Sequence, residues 1–383
     1  MTVTHPKGFR AAGVAAGHKS SGNKDMAVVV NDGPQTAAAA VFTSNRCKAN
    51  PVLWSQEAIK GGSAKAVVIN SGGANCYTGP AGFAVTHATA ELAGAELGVG
   101  AIDIQVMSTG LIGLQPDQAR MLSGASSALA SASEDGGSDA AAAIMTTDTV
   151  AKTAVSEADG WSVGGMAKGA GMLAPALATM LVVITTDAVA DAATLDAALR
   201  AATGTTFDRL DSDGCQSTND TVLLMASGAS GVTASPDELA QHVTAVCNEL
   251  AMKLLADAEG ADHEIAIEVV GAATESDALA VGRSVARSNL FKCAIFGKDP
   301  NWGRILASVG TTDAVFDPSD LDVSLNGVPV CVNSGPGASI DDVSLEERAV
   351  SVVIDLKSGD ASATVWTNDL THAYVHENSA YST

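Results

Sequence analysis

The apolar residues of this chain fall in short runs separated by glycine-rich or polar turns, and the period of those runs changes along its length. The most apolar run, Thr-Met-Leu-Val-Val-Ile-Thr-Thr at 179–186, is β-branched and too short for most helices. It predicts a strand buried on both faces. Similar runs predict strands over 27–30, 37–43, 65–69, 104–110, 161–166, 221–226 and 265–270, with Asn31-Asp32-Gly33-Pro34 turning the chain between the first two. Helical stretches read as 81–97, 116–133, a short one over 140–145, 192–203, 235–257 and 277–289. The helix from 235 carries the clearest start: Ser235 as N-cap, Pro236 in the first turn, then Asp237 and Glu238 near the positive end of the dipole. The last quarter turns strand-rich, over 323–325, 329–332, 350–356 and 361–366, with an Asn326-Gly327 hairpin turn. Strands and helices mix without a strict βαβ repeat, so the expected class is α+β, layered, with sheets packed inside helices.

Composition narrows the partners. The 383 residues hold 21 Lys+Arg against 43 Asp+Glu, a net charge of −22, which repels phosphate backbones and anionic membranes and argues against nucleic-acid binding. Six scattered cysteines without a C-x-x-C pair suit buried thiols in a reducing compartment better than a disulfide framework. The N-terminus lacks the apolar core of a signal peptide, and no apolar run approaches the ~18 residues needed to cross a bilayer. The expectation is a soluble, cytoplasmic protein.

The candidate chemistry centres on Lys168-Gly-Ala-Gly-Met-Leu-Ala-Pro-Ala-Leu-Ala178 and the Thr179 that follows. Gly169 and Gly171 permit a tight turn, and Pro175 stops a helix from running through. Cleavage between Ala178 and Thr179 would put a hydroxyl nucleophile and an α-amine on one residue. With a pKa near ~7.7–8.0, that amine is partly neutral and can accept the hydroxyl proton. Gly169-Ala-Gly171-Met-Leu-Ala174 fits a loose dinucleotide pattern, but a strand rather than a helix follows it, and that reading is set aside. His372 and His376 have zinc-pair spacing without H-E-x-x-H, and read as surface histidines. The Asn70-Ser-Gly-Gly-Ala-Asn75 loop at a helix start suits an anion or a plain turn and cap equally well.

The string KGAGMLAPALATMLVVITTDA resembles the self-cleaving segment of the ornithine acetyltransferase (glutamate N-acetyltransferase) family of arginine biosynthesis. NSGGAN, STGLIG, MTTDT, Asp299-Pro-Asn-Trp-Gly-Arg304 and the C-terminal Tyr374-x-x-x-Asn378-x-x-Tyr381-x-Thr383 extend the resemblance from about residue 31 to 383. It implies an α/β/β/α-type sandwich of N-terminal-nucleophile architecture, self-processed into chains 1–178 and 179–383 that share one core and assemble as an α2β2 heterotetramer. It also implies Thr179 as nucleophile, Ala178 on the other side of the cut, and Thr109 with Gly110 as oxyanion donors. Thr146 or Thr147, Lys168, Glu259, Asn378 and Thr383 would bind substrate, and no cofactor or metal is implied. The implied substrates are N2-acetylornithine and glutamate, with acetyl-CoA as a possible further donor. Two departures stand out: Asp262-His263 where Thr-Lys is expected beside Glu259, and Cys215-Gln216 in place of a commoner Asp-Thr. The rival readings are a self-processed aminopeptidase or amidohydrolase with water as acceptor, and an uncut binding protein of the same fold.

Overall fold

The computed structural model describes residues 2–172 and 180–380. The first half contains β1 (Phe9–Val14), β2 (Met26–Asn31), β3 (Ala38–Phe42), β4 (Ala66–Asn70), β5 (Ile104–Ser108), β6 (Lys152–Glu157) and β7 (Ser162–Lys168). The second half contains β8 (Leu181–Thr186), β9 (Thr221–Ala226), β10 (Glu264–Ala272), β11 (Asp322–Leu325), β12 (Val328–Val332), β13 (Gly335–Pro336), β14 (Ala349–Asp355) and β15 (Ala361–Asn368). The helices are α1 (Asn50–Ala58), α2 (Gly79–Leu97), α3 (Gln118–Ser131), α4 (Gly137–Ala143), α5 (Ala192–Thr205), α6 (Pro236–Ala256), α7 (Glu275–Ala286), α8 (Asn289–Phe296), α9 (Trp302–Val309) and α10 (His372–Ala380).

Two sheets stack face to face, ordered β1-β2-β4-β5 and β3-β9-β8-β7-β6. The period-2 alternation of strand side chains explains the layers. From β8, Leu181 and Val183 point into the inter-sheet core with Leu223, Met225, Val29, Val67 and Ile69. Val182 and Ile184 of the same strand point the other way, onto Leu195 and Leu199 of α5 and Val243, Val246 and Leu250 of α6. In the first sheet Val28, Val30, Val68 and Val106 face away from the inter-sheet layer, against Trp54 of α1, Val85 of α2 and Met121 of α3. The order of layers is therefore α/β/β/α. A third sheet, β13-β12-β11-β14-β10-β15, packs Ile265, Ile267 and Val269 against Val281 and Val285 of α7, Phe291 of α8 and Ile305 of α9.

Several expectations are met in detail. Ser235 caps α6 as a full capping box with Glu238, after which Leu239, Val243, Val246 and Leu250 are buried. The buried run predicted from 179 is the central strand β8, although pairing begins at Leu181; Thr179 lies outside the described residues. The helix predicted over 277–289 stops at Ala286, because the Ser288 side chain accepts from Phe291 N and starts a separate helix. The C-terminal stretch, polar in sequence, forms α10. Strands β1 and β6 and helices α1, α8 and α9 had no counterpart in the sequence reading.

The inter-sheet layer is close-packed, so a void there has no partner atoms to fill it. Leu223→Ala should lower unfolding free energy by about 2–5 kcal/mol, read as a drop in the urea midpoint with the m-value unchanged.

Candidate active site

One pocket of about 60 Å³ is lined by Thr109, Gly110, Thr146, Thr147, Lys168, Glu259 and Asn378, together with Gly171, Met172 and the run Ser217-Thr218-Asn219. Seven of the ten residues predicted for the site thus meet from five separate stretches of chain. Ala178, Thr179 and Thr383 lie outside the described residues. Lys168, the last residue of β7, pairs with Leu181 of β8.

Each side chain is held by its local structure. Thr109 and Gly110 follow β5 directly; Thr109 N donates to the Asn70 carbonyl and Gly73 N to the Thr109 carbonyl. Gly110 has φ +122°, and a Cβ there would come within 2.8 Å of Gly73 N, so only glycine fits. Among the described residues none accepts the Gly110 N–H. The Lys168 ammonium, a donor only, reaches Thr109 Oγ1 at 3.3 Å. The Thr109 hydroxyl oxygen therefore accepts, which leaves its hydrogen to point elsewhere.

Glu259, just beyond α6, is gripped at both oxygens: Thr147 Oγ1 donates to Oε1 at 2.7 Å and Asn378 Nδ2, on α10, to Oε2 at 3.0 Å. Glu259 N donates to the Ala170 carbonyl at 2.9 Å, and a Cβ on Gly171 would lie 2.7 Å from the Glu259 carboxylate. The glycines at 169–171 thus let the loop lie directly on this acid. Thr147 rather than Thr146 makes the hydroxyl contact, while Thr146 N donates to Asp148 Oδ2 at 3.0 Å.

The electrostatics centre on Lys168, 2 % exposed. Burial pushes its pKa below the usual lysine value, with Lys152 adding to the effect; Asp148, Asp220 and Glu259 pull it back up. Burial would raise the Asp148 carboxyl, but the Lys168 and Lys152 ammonium groups outweigh it and hold that acid below its ordinary range. Asp148 Oδ1 also accepts from Gly169 N at 2.6 Å and from Lys152 Nζ at 2.6 Å, and Lys152 bridges on to Asp257 at 2.5 Å. This cluster ties the 146–149 turn, the start of the glycine loop and the end of α6 together. Asp220, buried and pushed well above the carboxylate range by that burial, accepts from Met180 N at 2.9 Å.

Sequence reasoning assigned no chemistry to Ser217-Thr218-Asn219, to Asp148 or to Asp220. Asn219 Nδ2 donates to both the Ala74 and Ser108 carbonyls at 2.7 Å, bolting the 70–75 loop to the end of β5. The Asp262-His263 departure does not enter the pocket. His263 is buried with its Nδ1 2.7 Å from Asp369 Oδ2, and Asp369 Oδ1 accepts from both Asp262 N and His263 N. At the other departure, Gln216 Nε2 donates to Ser44 Oγ at 2.7 Å.

The profile of the ArgJ family matches residues 10–383. The chain belongs to the ArgJ family. It is 61 % identical over 382 residues to the arginine biosynthesis bifunctional protein ArgJ of Streptomyces avermitilis, covering all of both chains, and 53 % identical to that of Mycobacterium tuberculosis, covering 99 % of this chain and 96 % of the relative. Among solved structures, the ornithine acetyltransferase of M. tuberculosis complexed with ornithine is 52 % identical over 47 % of this chain and 96 % of that one, with a TM-score of 0.45. The ArgJ structure from Bacillus halodurans is 34 % identical over 51 % of this chain and 97 % of that one, with a TM-score of 0.49. Membership makes this chain an acyltransferase of arginine biosynthesis. No helix among the described residues is long and apolar enough to cross a membrane.

Removing one partner from a buried ion cluster leaves uncompensated charge. Lys152→Met should therefore cost about 3–5 kcal/mol of stability, and adding Asp148→Asn should restore part of it in urea unfolding. The Asp148 contribution has a fixed sign: its folded pKa lies below the ordinary 3.8, so the stabilisation is complete above that pH and lost as acidification passes the folded value.

Proposed function

We propose that the chain cuts itself between Ala178 and Thr179 and then moves an acetyl group from N2-acetylornithine to glutamate through an acetyl-Thr179 intermediate. The observation that carries this reading is the convergence of Thr109, Gly110, Thr147, Lys168, Glu259 and Asn378 on one pocket, with Lys168 at the end of β7 paired to Leu181 at the start of β8. In processing, the Thr179 hydroxyl attacks the Ala178 carbonyl and the C–N bond gives way to an ester. Water then hydrolyses that ester, leaving a carboxylate on Ala178 and a free amine on Thr179. The proposed pieces, 1–178 and 179–383, stay together because β7 pairs with β8 and β3 with β9, so each piece contributes strands to the same sheet.

In turnover the Thr179 amine takes the hydroxyl proton as the oxygen attacks the acetyl carbon. The Thr109 hydroxyl and the Gly110 N–H donate to the oxyanion, the C–N bond of acetylornithine breaks, and the proton leaves on the ornithine amine. Glutamate then enters with a neutral amine, attacks the acetyl ester and returns the hydroxyl proton to Thr179. Lys168 suits the α-carboxylate of either amino acid, and Glu259, aimed by Thr147 and Asn378, suits an ammonium group. Thr146 and Thr383 complete the proposed pocket, and the two-fragment unit is proposed to pair as α2β2. Acetyl-CoA is proposed as a further acetyl donor to the same threonine.

Intact-mass measurement of the purified protein should find two fragments meeting at 178/179, and Thr179→Ala should give one uncut, inactive chain. An active wild-type preparation containing only uncut chain would overturn the reading, and acetyl release to water without transfer to glutamate would favour the hydrolase. Thr109→Ala, cut normally, should lose about 10²–10³-fold in kcat with a smaller change in KM, the loss expected for one oxyanion donor.

A further inference from the structure

The turn that carries Thr109 and Gly110 has no regular structure of its own, so its shape must be set from outside. Residues 108–111 are laced to the 70–74 loop by three backbone bonds. Thr109 N donates to the Asn70 carbonyl at 3.0 Å, Gly73 N to the Thr109 carbonyl at 2.9 Å and Ala74 N to the Leu111 carbonyl at 3.1 Å. Asn219 spans both sides of that seam. Its Nδ2 donates at 2.7 Å to the Ser108 carbonyl, one residue before Thr109, and at 2.7 Å to the Ala74 carbonyl on the facing loop. The Thr218 hydroxyl donates to Asn219 Oδ1 at 2.6 Å, and Asn219 N donates to Ser217 Oγ at 3.1 Å. Nδ2 thus faces two groups that only accept and Oδ1 faces a hydroxyl, which fixes the orientation of the amide. Asn219 lines the acyl-transfer pocket, yet both amide hydrogens are spent inside the protein, so a substrate finds no free donor there. Asn219, Ser108 and Ala74 are each 4 % exposed or less, so water does not replace a lost bond. A serine at 219 could serve one of the two carbonyls, and an aspartate would turn an oxygen toward both.

We propose that Asn219 is a positioning residue for acyl transfer: its amide sets the spacing between the 108–111 turn and the 70–74 loop, and through it the direction of the Thr109 hydroxyl and the Gly110 N–H. This role rests on the reading of Thr109 and Gly110 as oxyanion donors. Asn219 belongs to the proposed piece 179–383 and both carbonyls to 1–178, so one fragment shapes the donors of the other. A donor moved slightly off line costs most where charge develops in the transition state, and little in ground-state binding.

A double-mutant cycle with Thr109→Ala tests it, using steady-state kinetics of the full-length protein with cutting at 178/179 checked by intact mass. Asn219→Asp should lower kcat about 10- to 100-fold with KM changed by less than about threefold. Asn219→Ser, neutral and able to donate once, should fall between Asn219→Asp and the wild type. In the Thr109→Ala background the Asn219→Asp loss should shrink by at least about threefold, because both changes act on one group. An equal loss in the two backgrounds overturns the positioning role, as does a folded Asn219→Asp with unchanged kcat or with a loss confined to KM. If Asn219→Asp fails to fold, the same cycle is read with Asn219→Ser, by the same criteria. Both Asn219 variants staying uncut where Thr109→Ala is cut would overturn the role too, since their defect would then not run through Thr109. Thr109→Ala with full activity would sink the oxyanion reading itself, and this role with it.

Discussion

The pairing of Lys168 with Leu181 is the constraint on which the rest of the molecule depends. β7 and β8 run antiparallel at the heart of the five-stranded sheet, with β8 buried along its whole length. Whatever the loop between them does, its two ends are fixed by ladder hydrogen bonds and by apolar layers on both faces. A strand register cannot slip by one residue here without turning Val183 from the inter-sheet core onto the helices and Val182 the other way. The site inherits that rigidity: Lys168 enters the pocket from the last position of a strand that cannot move.

Rigidity of this kind also makes buried charge tolerable. The chain is strongly acidic, yet the pocket is organised about a lysine with almost no exposure. Burial lowers that lysine's pKa, and the fold opposes the shift with carboxylates that are themselves held: Asp148 by Lys152 and two backbone N–H groups, Glu259 by Thr147 and Asn378. Placing fixed dipoles and charges before a ligand arrives removes the cost of orienting them during reaction. In the oxyanion role proposed for Thr109, accepting from the Lys168 ammonium would make its hydroxyl the better donor to a developing negative charge.

How much of this was legible in the sequence follows from which interactions are local. β8, β9 and α6 were readable because their signals lie inside them: unbroken apolar β-branched runs for the strands, and a capping box followed by apolar residues at helical spacing for α6. β1 (Phe-Arg-Ala-Ala-Gly-Val) is made largely of small residues, and its burial comes from pairing with β2 rather than from its own pattern. α10 buries no residue, so nothing periodic marks it; it is held by contacts such as Asn378 with Glu259. α9 was hidden inside the Asp299-Pro-Asn-Trp-Gly-Arg304 string, where Asn301 caps the helix by accepting from Arg304 N. The site residues were found through strings resembling a family, whereas Asp148 and Asn219 act by bridging segments distant in sequence, which no local pattern displays.

Two glycines show how closely backbone and chemistry are joined. At Gly110 the left-handed φ and the 2.8 Å approach of an added Cβ to Gly73 N leave no room for a side chain, so the N–H after Thr109 keeps a direction that another residue would strain. At Gly171 the obstacle is the Glu259 carboxylate itself. A methyl there would collide with the acid that Thr147 and Asn378 hold in place, pushing apart the glycine loop and the end of α6. The loop therefore packs onto Glu259 only while residue 171 has no side chain, and the position of that carboxylate relative to Lys168 is set by the absence of a single carbon atom.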